Sequence, residues 1–145
     1  MSGIETRRVA DELEIRNLVA RLAHLADHGE LSEYIALFTE DAVWGFQAKP
    51  GQAATYPLRH GRADILAGAK DRRSSGTTGP GSHSRHVLTS TWVKVEGDSA
   101  TSGSYLVFYR NCNAVPELVN FSVYADRFRR TPEGWRLAER LIELG

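Results

Sequence analysis

Cysteine is almost missing from this chain. Cys112 stands alone, which excludes an intrachain disulfide and any zinc centre built from cysteines. With no partner thiol, it reads as a small buried hydrophobe. Net charge is missing too: Lys and Arg total 18 and Asp and Glu total 18, so no overall field draws the protein to nucleic acid or to an anionic membrane. Neither is expected as a partner. Long apolar runs are also lacking. The opening MSGIETRRVADELEIRNLVARL alternates charges with single apolar residues, unlike a signal peptide, a transit peptide or a spanning helix, and the expected location is the cytoplasm. There is no Walker loop, dinucleotide fingerprint or G-x-S-x-G elbow, which removes nucleotide binding and serine hydrolysis from the candidate functions. His24 and His28 share an i, i+4 spacing, but HLADH lacks the glutamate of a zincin helix and both lie opposite the apolar stripe of their helix. No metal and no other cofactor is expected.

Hydrophobic residues make up 41% and charged residues 25% of 145 positions, which suits one globular domain over 1–145 and leaves no room for a comfortable second. Ile15, Leu18, Val19, Leu22, Leu25 and Ala26 recur at three- and four-residue spacing and mark a helix from about Ile4 to His28, stopped at Gly29. Leu31 to Phe38 repeats the pattern with Ser32 as its cap. DAVWGF reads as a short strand, QAKPGQAATYP as a polar loop, HGRADILAGAKDRR as a further helix and SSGTTGPGS as a flexible connection. Four strands follow, Ser84 to Glu96, Ala100 to Cys112, Leu118 to Arg130 and Trp135 to Leu144. The links EGDS, NAVPE and TPEG are short enough to make them antiparallel neighbours. Helices first and a long-stranded meander afterwards predict an α+β fold, with the helices on one face of a curved sheet.

One residue sits where electrostatics disfavours it. Asp27 lies in the last turn of the first helix, at the negative end of the helix dipole. Ala20 and Ala23 share its flank, and such small neighbours allow that flank to border a cavity, where a carboxylate can serve as a base. The alternative is a solvated aspartate approaching a turn at DHG. His86 opens a strand in SHSRHVLTS. Turned inward, it faces the helix and forms a carboxylate–imidazole dyad able to take a proton from carbon near neutral pH; turned aside, it is a rim or core histidine. Arg127, Arg129 and Arg130 alternate with aromatic and acidic residues and read as exposed ion pairs.

The stretches IRNLVARLAHLADHGELSEYIALFTEDAVW, HGRADI, SRHVLTSTWVKVEGDSATSGSY and YADRFRRTPEGWRLAER resemble, in order and spacing over almost the whole chain, the SnoaL-like branch of the NTF2-like superfamily. The resemblance implies an NTF2-like (cystatin-like) cone of three N-terminal helices packed on a highly curved, mixed, mostly antiparallel sheet. A mostly apolar pocket would lie between the layers, and homodimers or trimers would form through the sheet. Within that superfamily the chain is similar to scytalone dehydratase, the hexachlorocyclohexane dehydrochlorinase and bile-acid dehydratases, which use a helix aspartate and a strand histidine. Asp27 and His86 fall at those places. Ala26 and Trp44 stand where scytalone dehydratase has tyrosines, and Tyr105 and Tyr124 are the candidate substitutes.

Three functions follow as expectations from the resemblance. The first is a cofactor-free lyase or isomerase that uses the Asp27–His86 dyad on a small hydrophobic cyclic compound such as a polyketide or steroid, in a pocket lined by Trp44, Phe46, Tyr105 and Phe108. The second is a binding or subunit-interaction module of the kind found in the small subunit of ring-hydroxylating dioxygenases. The third is an epoxide hydrolase, for which Asp27, Asp126 and Arg127 would have to converge although neighbours on a strand point to opposite faces.

Overall fold

A computed structural model describes residues 2–51 and 57–145; part of the expected QAKPGQAATYP loop lies outside the described residues. The first helix, α1 (Gly3–His28), starts at a capping box. Glu5 N–H donates to Ser2 Oγ at 3.2 Å and Ser2 N–H donates to Glu5 Oε2 at 2.9 Å, so two otherwise orphaned donors are satisfied. Ile15, Leu18, Val19 and Leu22 form its buried stripe. The helix stops at Gly29 through close approach rather than a left-handed turn: the backbone is extended there, and a Cβ would stand 2.5 Å from Leu25 Cδ2. The next helix, α2 (Leu31–Ala36), has Glu30 at its N-cap and no side-chain cap. Ser32 therefore sits inside the first turn and is not the cap its residue type suggested. Phe38, expected to end this helix, instead opens β1 (Phe38–Phe46), because its side chain is drawn into the core under the sheet.

A two-residue strand, β2 (Arg59–His60), leads into α3 (Gly61–Ser74). Then come β3 (Arg85–Glu96), β4 (Ser99–Arg110), β5 (Glu117–Thr131) and β6 (Gly134–Leu144). Two helices, not three, thus precede the sheet; the third follows the β1–β2 pair. The strand order is β2-β1-β6-β5-β4-β3. Only β1 and β6 run parallel among these neighbours, which makes the sheet mixed and mostly antiparallel, as expected. Register shifts between Thr89 and Trp92, between Phe108 and Tyr109, and between Arg127 and Phe128 bend the long strands around the helices.

Strand parity divides the residues cleanly. Ala100, Ser102, Ser104, Leu106 and Phe108 of β4 are buried on the face that meets the helices, as are Tyr124, Asp126 and Phe128 of β5. The main core gathers the α1 stripe with Tyr34, Phe38, Ile65, Phe128, Trp135 and Leu137, and a smaller cluster holds Leu106, Phe108, Tyr124 and Ile142; Trp44 and Leu88 touch both. Cys112 departs from its expected burial. It is half-exposed in the turn after β4, where its N–H donates to His83 O at 2.8 Å. Among the described residues no helix is long and apolar enough to cross a membrane.

Candidate active site

The aspartate at the end of α1 is fully enclosed: Asp27 is 5% exposed, which excludes the solvated-turn alternative. Its partner is the second residue of β3. His86 N–H donates to Asp27 Oδ1 and Oδ2 at 3.2 and 3.1 Å, and His86 Nδ1 lies 2.6 Å from Asp27 Oδ1. The helix end is neutralised by a second group. Arg73, near the end of α3, donates from Nη2 to the carbonyls of Leu25 at 2.9 Å and Gly29 at 2.8 Å, and more weakly to Ala26 at 3.5 Å. A guanidinium on the last carbonyls offsets the negative pole. Asp27 therefore meets two donors ahead and a capped helix behind.

A carboxylate in this position only accepts, so the imidazole proton belongs on Nδ1 and the lone pair on Nε2. Among the described residues Nε2 has no hydrogen-bond partner. The ring rests tilted on Phe108, centroids 4.8 Å apart, which fixes its plane. His86 lines a cavity of about 40 Å³ together with Tyr34, Trp44, Arg72, Tyr124 and Arg140. A second, more open groove of about 330 Å³, walled by Phe46, Pro57, Leu58 and Arg59, shares Trp44 and Arg72 with it. The expected pocket is thus a small chamber of mixed lining, with Leu22, Ala23, Ala26 and Leu88 among its apolar walls, beside a roomier and more apolar groove.

Burial and neighbouring charge act on four of the chamber's polar groups. Burial pushes the phenols of Tyr34 and Tyr124 up, so both stay neutral hydroxyl donors. Burial works against the charge of Arg140, but the Asp126 carboxylate overcomes it and holds the guanidinium above its ordinary range. That pair is a bidentate fork, with Nε and Nη2 donating at 2.8 Å each, and Arg140 also lies 4.1 Å over the Tyr124 ring. Arg72 sits 4.4 Å over the Trp44 ring; burial pushes its guanidinium below the ordinary value.

A family model described as a SnoaL-like domain matches residues 7–141. The chain belongs to the SnoaL-like family. An uncharacterized protein of Mycobacterium tuberculosis is 27% identical to it, over 97% of this chain and 89% of that protein. The crystal structure of an NTF2-like protein with a cystatin-like fold from Novosphingobium aromaticivorans is 30% identical, covers 97% of this chain and 86% of its own, and superposes with a TM-score of 0.81. A protein of Streptomyces avermitilis described as a candidate dehydratase of the NTF2-like family shares 17% identity and a TM-score of 0.72 over 95% of this chain and 98% of its own. That last likeness is one of fold alone.

Of the residues expected at the site of this SnoaL-like domain, Asp27 and His86 are hydrogen-bonded, and Trp44 and Tyr124 line the chamber with His86. Phe108 supports the His86 ring from below. Phe46 borders the outer groove, because the strand carries it past the chamber beyond Trp44. Tyr105 is a correction. It is 46% exposed and stacks on Phe121 on the opposite face of the sheet, since it alternates with the buried Ser104 and Leu106. Tyr105 therefore cannot stand in for a site tyrosine. Arg127 also points outward, to Glu139 at 3.6 Å, while Asp126 points inward to Arg140, so the three groups an epoxide hydrolase would need do not converge. His24 and His28 are exposed and face each other at 3.4 Å; among the described residues no three His, Cys, Asp or Glu side chains gather as a metal site.

Arg72, Arg73, Arg140 and Tyr34 escaped the sequence reading. Arg72 and Arg73 look like the solvated tail of a helix, and only the glycines that follow hint otherwise. Gly79 has φ +93° and a Cβ there would stand 2.8 Å from Arg73 Cγ. The SSGTTGPGS segment is accordingly a fitted wrapper around Arg73 rather than a slack connection, tied by Ser84 Oγ donating to Thr77 O at 2.8 Å. Arg130, expected as an exposed ion pair, instead reaches under the sheet rim to Asp11 at 2.9 and 2.7 Å.

Proposed function

We propose that this SnoaL-like domain is a proton-transfer enzyme, a lyase or isomerase in which His86 Nε2 takes a proton from a carbon acid. One observation carries the reading: Asp27 holds Nδ1 at 2.6 Å while Nε2 has no partner among the described residues, in a side chain that lines a chamber. As Nε2 gains the proton, the imidazolium is stabilised by the carboxylate behind it. The proton then returns to a second carbon in an isomerisation, or to a leaving hydroxyl that departs as water in a dehydration. Such chemistry needs no metal or nucleotide, and full activity in the presence of a chelator is the expected result.

The size of the chamber narrows the substrate. About 40 Å³ holds roughly three waters, so the bulk of a substrate would lie in the adjoining groove of about 330 Å³. A single hydrophobic ring seated in the outer groove, with its reacting carbon presented through the Trp44–Arg72 partition, suits these dimensions. The reaction can be tested before the natural substrate is identified, by deuterium exchange from heavy water into a panel of cyclic ketones, followed by proton NMR. Accelerated exchange that falls about a hundredfold or more in His86→Ala supports the reading. A wild-type rate no faster than that of the folded His86→Ala protein across the panel contradicts it.

We also propose that the chain pairs with itself through the outer face of the sheet. Val87, Trp92, Tyr105 and Phe121 are all more than two-fifths exposed there, an apolar patch of the kind that marks an interface. Light scattering on the purified protein is expected to give a dimer or trimer, and Trp92→Glu to shift it toward monomer.

A further inference from the structure

Among the described residues, the inner arginines of this domain each have at least one acceptor, with one exception. Arg140 has Asp126, Arg130 has Asp11, Arg59 has Asp64 at 3.0 Å, Arg62 has the Phe38 carbonyl and Arg73 has the α1 carbonyls. Arg72 has no acceptor among the described residues: its guanidinium rests only on the face of Trp44. A cation taken largely out of water without a counterion is costly, and a contact with an aromatic face offsets part of that cost while leaving the N–H edges unspent. Those edges border both the chamber that holds His86 and the outer groove. Burial lowers the affinity of Arg72 for its proton, and an anion beside the guanidinium would act in the opposite direction.

We propose that Arg72 is the anion subsite of this active site, receiving the oxygen that turns negative when His86 deprotonates the neighbouring carbon; the substrate is then an enolisable carbonyl compound whose ring lies against Trp44, Phe46 and Leu58. The second half of this statement rests on the proton-transfer reading; the affinity of Arg72 for an oxyanion does not. The electron pair of the broken C–H bond moves onto the carbonyl oxygen, the proton goes to Nε2, and Arg72 neutralises the resulting enolate with N–H donors that need no reorganisation. Such a group acts chiefly when the charge develops, which places its benefit on the barrier rather than on ground-state binding.

The probe is 4-nitrophenolate, a flat oxyanion shaped like an enolate, titrated beside its neutral counterpart nitrobenzene. The wild-type protein is expected to prefer the phenolate, and Arg72→Met to bind it about tenfold or more weakly with nitrobenzene unaffected, as for loss of a hydrogen bond to a charged group. Arg72→Lys, which keeps the charge and loses the fork, is expected to bind the phenolate more tightly than Arg72→Met. Circular dichroism verifies that both variants are folded. Phenolate binding by folded Arg72→Met within about threefold of wild type, or a wild-type protein with no preference for the anion, overturns the proposal. The two readings fail separately, because the phenolate titration involves no proton transfer and the deuterium-exchange assay measures no anion affinity.

Discussion

Helix α1 buries two aspartates, one in its N-terminal half and one in its last turn, and they are given different partners. Asp11 is 7% exposed and Asp27 is 5% exposed. Asp11 is locked by permanent donors: the Arg130 fork at 2.9 and 2.7 Å and the Trp135 indole N–H at 3.0 Å. Arg130 also lies 4.6 Å over the Trp135 ring, and a further carboxylate, Asp98, holds it at 2.9 Å. Nothing there can gain or lose a proton near neutrality. Asp27 is met instead by the imidazole of His86, whose side chain lines a chamber. The lesson is that burial of a carboxylate marks neither structure nor chemistry by itself. The donor it is given distinguishes them: a guanidinium fork holds Asp11, and on the proposed reading the imidazole beside a chamber makes Asp27 the partner of a base.

The comparison can be broken at either end. The largest effect is expected at the chamber. Asp27→Asn keeps the shape of the side chain but lets the ring adopt the wrong tautomer, and carbon-acid exchange is expected to fall about a hundredfold or more while the thermal midpoint moves little. The opposite split is expected at the staple. Asp11→Ala leaves the Arg130 cation and the Trp135 N–H without their acceptor and should cost about 3 kcal/mol, a fall of about 10 °C in Tm, with exchange activity of the folded protein intact. Calorimetry and the exchange assay on the same two variants test whether the effects cross over.

Acid sharpens the contrast further. Hydrogen bonds from Arg130 outweigh burial and, with the Trp135 N–H, hold the Asp11 carboxyl below its usual range. A carboxylate whose pKa is depressed on folding stabilises the protein fully above its unfolded value of about 3.9, and the benefit is lost as pH falls through the lower folded value. The gap in urea midpoint between wild type and Asp11→Asn is therefore expected to be constant from neutrality to about pH 5 and to close below about pH 4. A smaller effect is expected at Gly79→Ala, where a left-handed backbone and the Arg73 stem leave no room for Cβ; the cost is about 1–3 kcal/mol in chemical denaturation. The smallest belongs to Tyr105→Phe, which removes a hydroxyl on the far face of the sheet and should leave exchange activity unchanged.

How far the sequence reveals this arrangement depends on the reach of each contact. The α1 stripe, the long strands and the α+β order are written in local periodicity, and the boundaries of β3 to β6 fall within a residue or two of those read from alternation. The pairing of Asp27 with His86 was legible because both stood in places that a known family reserves for them. Tyr105 was not, since one residue of parity separates the inner and outer faces and bulges between Thr89 and Trp92 and between Phe108 and Tyr109 unsettle the count. Arg72 and Arg73 were hidden for another reason. On a helix tail, an arginine that caps a distant helix and one that waits in a chamber look the same as one in water. Only the register of α3 against α1 and β1 tells them apart. Asp11 and Arg130 likewise lie far apart in sequence, and nothing local joins them.

The claim that one aspartate locks while the other tunes is most directly tested by the tautomer of His86, read from the nitrogen-15 shifts of its ring in protein labelled at histidine, with His86→Gln to assign the signals. The neutral ring is predicted to carry its proton on Nδ1, with a strongly deshielded proton held toward Asp27 and Nε2 unprotonated; in Asp27→Asn that signature should vanish. A neutral His86 protonated on Nε2, or one whose signals are unmoved by Asp27→Asn, would mean that the carboxylate does not set the base, and the proton-transfer account would fall with it.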